Sequence, residues 1–281
     1  MAKKVSEPQY ILSQLNTKML NYKVYVMSSK EKLLYFILAL IAGGVVGLTF
    51  YGGLFVDSDG NATVATSISN LVVFVLVGLI AAKIFIPMRT EQLRQKRLQE
   101  LTTQFRSLLE TLAVSLSSGM NMAESLQGAL EDLRQQYSPE AYIVKEVSEM
   151  ISGIQNNIPI EVTMASLGER SEIEDIKNFS VVFSVAYRAG GNLKDIVRRT
   201  NSIISEKIEI SGEIETALSS NKTQFTAMMI IPVVMVLLLK SMSSDFAAGF
   251  SSIIGVSAIT IAIGIFVLAY KLGQKIMDIK G

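Results

Sequence analysis

Carboxylates, lysines, arginines, tyrosines, hydroxyls and amides are the polar side chains this 281-residue sequence could use for chemistry, because it has no Cys, no His and no Trp. That excludes thiolate or imidazole metal sites, disulfides, cysteine nucleophiles and a Ser-His-Asp triad. The densest acidic cluster is Glu169, Glu172, Glu174 and Asp175. Acids so close in sequence could hold a cation or share a proton, but they fall at an expected helix start, where the macrodipole favours negative charge. Capping and solvation account for them. The only glycine pair followed by a basic residue, Gly190-Gly191-Asn192-Leu193-Lys194, lacks the spacing of a phosphate-cradling loop. The basic run Arg89 to Arg97 lacks the interleaved aromatics of a nucleic-acid surface and reads as a membrane anchor, with anionic lipid as a contact. No enzyme activity, catalytic residue, cofactor, metal or nucleic-acid partner is expected.

The elements around these residues are those of a membrane protein, 49% hydrophobic and only 18% charged. Four stretches can cross a hydrocarbon core of ~30 Å as helices. They form two pairs, Leu33 to Val56 with Asn70 to Pro87, and Phe225 to Leu239 with Ser252 to Tyr270. Lys and Arg resist translocation, and their distribution sets the orientation. Residues 1–32 carry six, residues 88–224 fifteen and the tail after Tyr270 three, whereas the two hairpin loops carry one between them. Lys83 lies a turn from a span end and can snorkel. The expected organisation is a basic cytoplasmic segment 1–32, a first transmembrane hairpin 33–87, a cytoplasmic helical domain 88–224, a second hairpin 225–270 and a cytoplasmic tail 271–281. No cleaved signal peptide is expected.

The middle segment has nineteen acidic against its fifteen basic residues, and its apolar residues return every three or four positions. The fold class is therefore all-α, with an antiparallel six-helix cytoplasmic bundle between the second and third spans. Asn121 with Glu124, and Ser171 with Glu174, have capping-box spacing. Ser138 before Pro139 reads as a helix start, and a short helix is expected from about Pro159 to Leu167. Gly119, Gly153, Gly168 and Gly190 each follow an apolar stripe and read as left-handed helix ends. Gly119-Met-Asn121-Met122 and Gly190-Gly191-Asn192-Leu193 form a weak internal repeat, a stop followed by a new amphipathic helix. Its plain meaning is structural, and its sharper one a duplicated partner surface. A long helix is expected from Asn192 to about Ser220, continuing into the third span, with Gly212 as its soft point. N-terminal Ile11, Leu15, Met19, Tyr22 and Val26 have helical spacing and suggest a surface helix or a lid. Within the spans, Gly43 and Gly47 have GxxxG spacing for close packing, Ala258 with Ala262 and Thr260 with Gly264 repeat it, and Pro232 should kink the third span.

LLETLAVSLSSGMNMAESLQGAL, then RAGGNLKDIVRRTNSIISEKIEISGEIETALSSNK leading into a span with Pro232, resembles the type II secretion system F-domain family, most closely its TadB-like tight-adherence (Flp) pilus branch. Gly119, Leu126, Ala129 and Leu130 match its glycine-then-helix signature, Gly190, Gly191, Asn192 and Leu193 its GGNL, and Arg170 and Pro232 its arginine and proline. Met120 and Ser219-Ser220 depart from the branch pattern. The resemblance implies a non-enzymatic inner or plasma membrane platform and an oligomer. Its implied partners are a hexameric secretion ATPase, a paralogous TadC-like platform protein, pilin subunits and membrane lipid.

Two other functions compete on the residues alone. A membrane sensor would need outside loops longer than about a dozen residues each, and a transporter would need polar residues within its spans.

Overall fold

A computed structural model of the chain describes residues 8–55 and 62–277. Val56 and the loop to Asn61, expected at the first hairpin's tip, lie outside the described residues, as do the first seven residues and the last four. Eleven elements follow one another among the described residues. They are β1 (Tyr10–Leu12), β2 (Lys18–Leu20), α1 (Ser29–Tyr51), α2 (Val64–Ser117), α3 (Met122–Gln136) and α4 (Tyr142–Gln155), then α5 (Ile160–Ser171), α6 (Glu174–Ala189), α7 (Leu193–Met242), α8 (Ser244–Ser251) and α9 (Ile253–Met277). Four helices are long and apolar enough to cross a membrane, namely α1, α2, α7 and residues Ile253–Gly273 of α9. The chain divides into two compact units, the N-terminal residues to Val26 with Thr90–Ile210, and Met27–Arg89 with Ser211 onward.

In the first unit, the C-terminal part of α2, helices α3 to α6 and the start of α7 enclose one apolar core. Leu101, Phe105 and Leu108 of α2, Leu126 and Leu133 of α3 and Ile143 of α4 are wholly or almost wholly buried in it. Phe179 of α6 meets Phe105 edge-on, with centroids 5.5 Å apart.

The N-terminal segment is not the helix its spacing suggests. It is a two-stranded antiparallel hairpin in which Ile11 faces Met19. Asn16 takes a left-handed turn at φ 57, and the Ser13 N–H donates to Thr17 O at 2.9 Å. Asparagine tolerates that conformation, so the turn outweighs a four-residue apolar spacing that a short polar segment cannot hold as a helix. Met19 and Tyr22 are buried, and Tyr22 belongs to the core of the unit.

Two glycines do different work from that expected. Gly153 and Gly168 lie inside α4 and α5, which end instead near Asn157 and Glu172, at φ 61 and 59. A Cβ on Gly168 would sit 2.5 Å from Ser180 Oγ and 3.2 Å from Lys177 Cα, and one on Gly153 3.0 Å from Thr163 Cγ2. These glycines permit close helix crossings. Helix α6 starts from Ile173, so Ser171 and Glu174 form no capping box; the Ser171 hydroxyl donates to Gly168 O and accepts from Ile173 N–H. Helix α4 starts at Tyr142, beyond Pro139.

The second unit contains α1, the first part of α2, the apolar end of α7, α8 and α9. Helix α2 runs through Pro87 and α7 through Pro232. The second hairpin's loop is largely α8, started by the Ser243 hydroxyl accepting from Phe246 N–H at 3.2 Å. Helices α1 and α2 approach on their small residues. A Cβ on Gly43 would collide with Ala81, one on Gly47 would meet Val77 Cβ at 2.9 Å, and one on Gly78 the backbone oxygen of Leu40 at 2.6 Å. No rotamer relieves a clash with backbone, so Gly78→Ile should separate the pair and cost about 1–3 kcal/mol. Gly264→Ala, where nothing lies within 4 Å of the added atom, should be neutral. Thermal unfolding of both variants in the same detergent tests the contrast, and equal melting would dismiss it.

Candidate functional site

Two helix junctions carry the repeated motif. Gly119 (φ 87) follows α2 with Met120 N–H donating to Ser115 O at 3.2 Å, and Gly190 (φ 66) follows α6 with Gly191 N–H donating to Ala186 O at 2.7 Å. Both are Schellman-type endings, which require the left-handed conformation glycine adopts without strain. Asn121 then caps α3 reciprocally, its Oδ1 accepting from Glu124 N–H at 3.0 Å and its own N–H donating to Glu124 Oε2 at 3.2 Å. Asn192 precedes α7 and accepts from Asp195 N–H at 3.4 Å. Leu126, Ala129 and Leu130 fill the core, and Leu193 packs at its edge.

Arg170 is far from both junctions in sequence and belongs to a buried polar node. Its Nη2 and Nη1 donate to Glu146 Oε2 and Oε1 at 2.6 and 2.9 Å, a bidentate pair, while Nη1 also donates to Leu20 O at 2.8 Å and Nε to Ser166 Oγ at 3.1 Å. The Tyr22 hydroxyl donates to Glu146 Oε1 at 2.9 Å, and Tyr22 N–H to Arg170 O at 3.0 Å. One arginine thus ties the N-terminal hairpin to α4 and α5. Burial works against its charge, but the Glu146 carboxylate outweighs it and holds the guanidinium above its ordinary range. Glu146 was not singled out from sequence, although it sits on the Ile143-Val147-Met150 face of α4. A carboxylate on an apolar stripe is the signal of a buried partner.

Burial, with the Glu146 charge behind it, pushes the Tyr22 phenol well above its ordinary value near 10. In the unfolded chain the phenol ionises near pH 10, while in the fold it keeps its proton. Its contribution to stability is full below pH 10 and declines as pH rises beyond, by about 1.4 kcal/mol per unit for one proton. Tyr22→Phe should remove that part of the alkaline slope. Stability curves from pH 8 to 11.5 that run parallel for the two proteins would refute it.

Two members of the acidic cluster form ion pairs. Glu172 pairs with Arg94 at 2.7 Å and Asp175 with Lys207 at 2.6 Å. In the basic run, Arg97 stacks over Tyr25 at 4.3 Å and Arg89 over Tyr35 at 5.3 Å. No group of three or more His, Cys, Asp or Glu able to hold a metal occurs among the described residues.

In the second unit, Gly47 and Pro232 face a common apolar cleft of about 550 Å³, with Phe50, Val77, Phe250 and Phe266 among its walls. Lys240, the one basic residue of the hairpin loops, donates from Nζ to Thr49 O at 3.1 Å and Gly52 O at 3.0 Å and lies 4.9 Å from the Phe250 ring centre. These carbonyls belong to the C-terminal end of α1, so the ammonium caps a helix of the other hairpin. Ser251 Oγ donates to Gly53 O at 2.6 Å beside it, and the Tyr51 and Thr260 hydroxyls are 3.0 Å apart.

Residues 108–239 match the model of one protein family, described as Type II secretion system (T2SS), protein F. No curated protein and no solved structure matches the chain.

Proposed function

We propose that this chain, whose residues 108–239 carry the Type II secretion system protein F domain, is a non-enzymatic inner-membrane platform of a type II secretion or type IV pilus-type machine. The carrying observation is the extent of that match. It begins in the packed part of α2, spans α3 to α6 and ends in the apolar part of α7, so one motif includes both the helical domain and a span. Four apolar helices agree with a multi-pass membrane protein.

Within that class the reading is a TadB-like platform of a tight-adherence pilus. The six-helix domain lies in the cytoplasm with both termini and docks on a hexameric secretion ATPase. The membrane unit works with a TadC-like paralogue, with pilin subunits and with lipid, in an oligomer. Gly119, Asn121, Gly190, Gly191, Asn192 and Leu193 set helix junctions of the domain, Leu126, Ala129 and Leu130 its core, and Arg170 its buried node. Gly43 and Gly47 serve packing in the membrane, and Pro232 shapes the cleft. A push from the ATPase needs a connection that does not yield, and residues 218–225 are helical.

Two measurements test this. The purified full-length chain in detergent should retain a secretion ATPase from its own host, and failure to do so with ATPase and pilin genes absent from its neighbourhood would remove the reading. Fusions of a periplasm-active reporter should be active at Gly60 and Asp245 and silent at Gln135, and the reverse pattern would overturn the orientation.

A further inference from the structure

The walls of the cleft in the second unit offer nothing to water. Of its fourteen lining residues only Tyr51 carries a polar side-chain atom, and that atom is already engaged. The Thr260 hydroxyl donates to Val256 O at 2.8 Å, so at 3.0 Å from the Tyr51 oxygen it accepts the Tyr51 proton. Water persists in such a space only with about 2–4 polar partners, which these walls do not supply.

The same walls set the size of an occupant. They run over residues 46–51 of α1, 232–236 of α7 and 259–267 of α9, and eight steps along α9 rise about 12 Å. A transmembrane helix, about 10–12 Å across with its side chains, would need roughly 1,000 Å³ over that length. The cleft has about 550 Å³. A hydrocarbon chain, a single file of methylenes, is slimmer and suits both the volume and the apolar lining.

One end of the cleft carries a charge. Lys240 Nζ donates to Thr49 O and Gly52 O, whose residues flank the wall residues Phe50 and Tyr51, and it lies 4.9 Å from the ring centre of Phe250, a third wall residue. An ammonium has three N–H groups. Two are used here, the third has no acceptor among the described residues, and the side chain is only partly buried. We infer that the cleft holds an acyl chain of a phospholipid whose phosphate accepts the third N–H of Lys240. Charge selects this occupant among hydrocarbons, because a phosphate oxygen makes a charge-assisted bond to an ammonium and the ester oxygens of a neutral glyceride do not. Lys240 directly follows the apolar run Phe225 to Leu239, where a lysine reaches the headgroup level. The inference rests on the reading of the second unit as membrane-inserted.

The test reconstitutes the purified full-length chain in phosphatidylcholine vesicles containing a phosphatidylcholine with a diazirine on one acyl chain. One sample is irradiated in the vesicles and another after transfer to excess detergent, and adducts are mapped by mass spectrometry. After transfer, adducts at Val236 and Ile263 in the cleft should exceed those at Val234 and Ile265, which lie outside its walls and are 47% and 63% exposed, by about tenfold, because only a held lipid survives dilution. A diazirine diacylglycerol, with the same chain and no phosphate, should label the cleft about tenfold less through loss of one charge-assisted bond. Val236→Phe, which puts a ring into the cleft, should lower the phosphatidylcholine adducts as far, and Val234→Phe should not. The diacylglycerol comparison needs no variant and decides the matter even if Val236→Phe does not fold. No labelling of Val234 and Ile265 in vesicles would remove the membrane reading and this inference together. Labelling there without retention in the cleft, equal retention of the two probes, cleft adducts unchanged in a folded Val236→Phe, or a native mass showing another polypeptide bound and no phospholipid, would each overturn the inference alone.

Discussion

Methionine in place of Arg170 should lower the stability of the first unit by about 3–5 kcal/mol, because it strands the Glu146 carboxylate in the core. Domains of this kind are stable by about 5–15 kcal/mol, so the loss is a large share of the total. The direct measurement is amide hydrogen exchange of α4 and α5 in the purified full-length chain, where those energies correspond to exchange faster by about 150-fold to about 5,000-fold. Residues 18 to 22 should open first, since Leu20 O loses its bond from the Arg170 guanidinium. The double variant Arg170→Met with Glu146→Met tests the cause. Removing both charges deletes the buried ion and should recover part of the loss, though not all, because Ser166 and Leu20 O still lack their partner and the Tyr22 hydroxyl loses Glu146 as well. An Arg170→Met protein that exchanges like the original would mean that water, and not Arg170, satisfies Glu146.

The same node marks where sequence reasoning succeeded and where it stopped. Amphipathic period and the left-handed glycines at 119 and 190 placed the helices around the core, because those signals are local and depend on backbone sterics alone. Glycines 153 and 168 carry the same letter but answer to a neighbouring helix, and no local rule separates a glycine that ends a helix from one that lets another helix approach. The N-terminal segment failed for a related reason. Five apolar residues at spacings of three and four imitate a helix, yet the left-handed Asn16 and the pairing across it bury Met19 and Tyr22 in a hairpin. Glu146 was legible as a charge on an apolar face. Its partner is 24 residues away in sequence, and only the packing of α4 against α5 identifies it.

Lys240→Met should detach the second hairpin's loop from the end of α1, at a cost of about 2–4 kcal/mol. Two hydrogen bonds from one ammonium to carbonyl oxygens are worth about 1.5–3 kcal/mol each in water-soluble proteins, and interhelical bonds in membranes measure less, so the pair falls in that range. Lys240→Arg keeps the charge and offers planar donors to the same two carbonyls, and should retain most of the effect. Faster hydrogen exchange in α8 and in the last turn of α1 is the readout, with Lys240→Arg close to the original protein. Topology supplies the control. Lys240 is the one basic residue in either hairpin loop, and positive residues oppose translocation; its removal cannot hinder the loop from crossing. A reporter at Asp245 should therefore stay active in Lys240→Met while α8 loosens. If the reporter falls silent, Lys240 acts during insertion; if exchange is unchanged, the carbonyls of Thr49 and Gly52 do not depend on it. Persistence of the reporter together with loss of protection is the outcome that assigns Lys240 to the finished second unit, as the contact that lets two short hairpins pack at their loop ends.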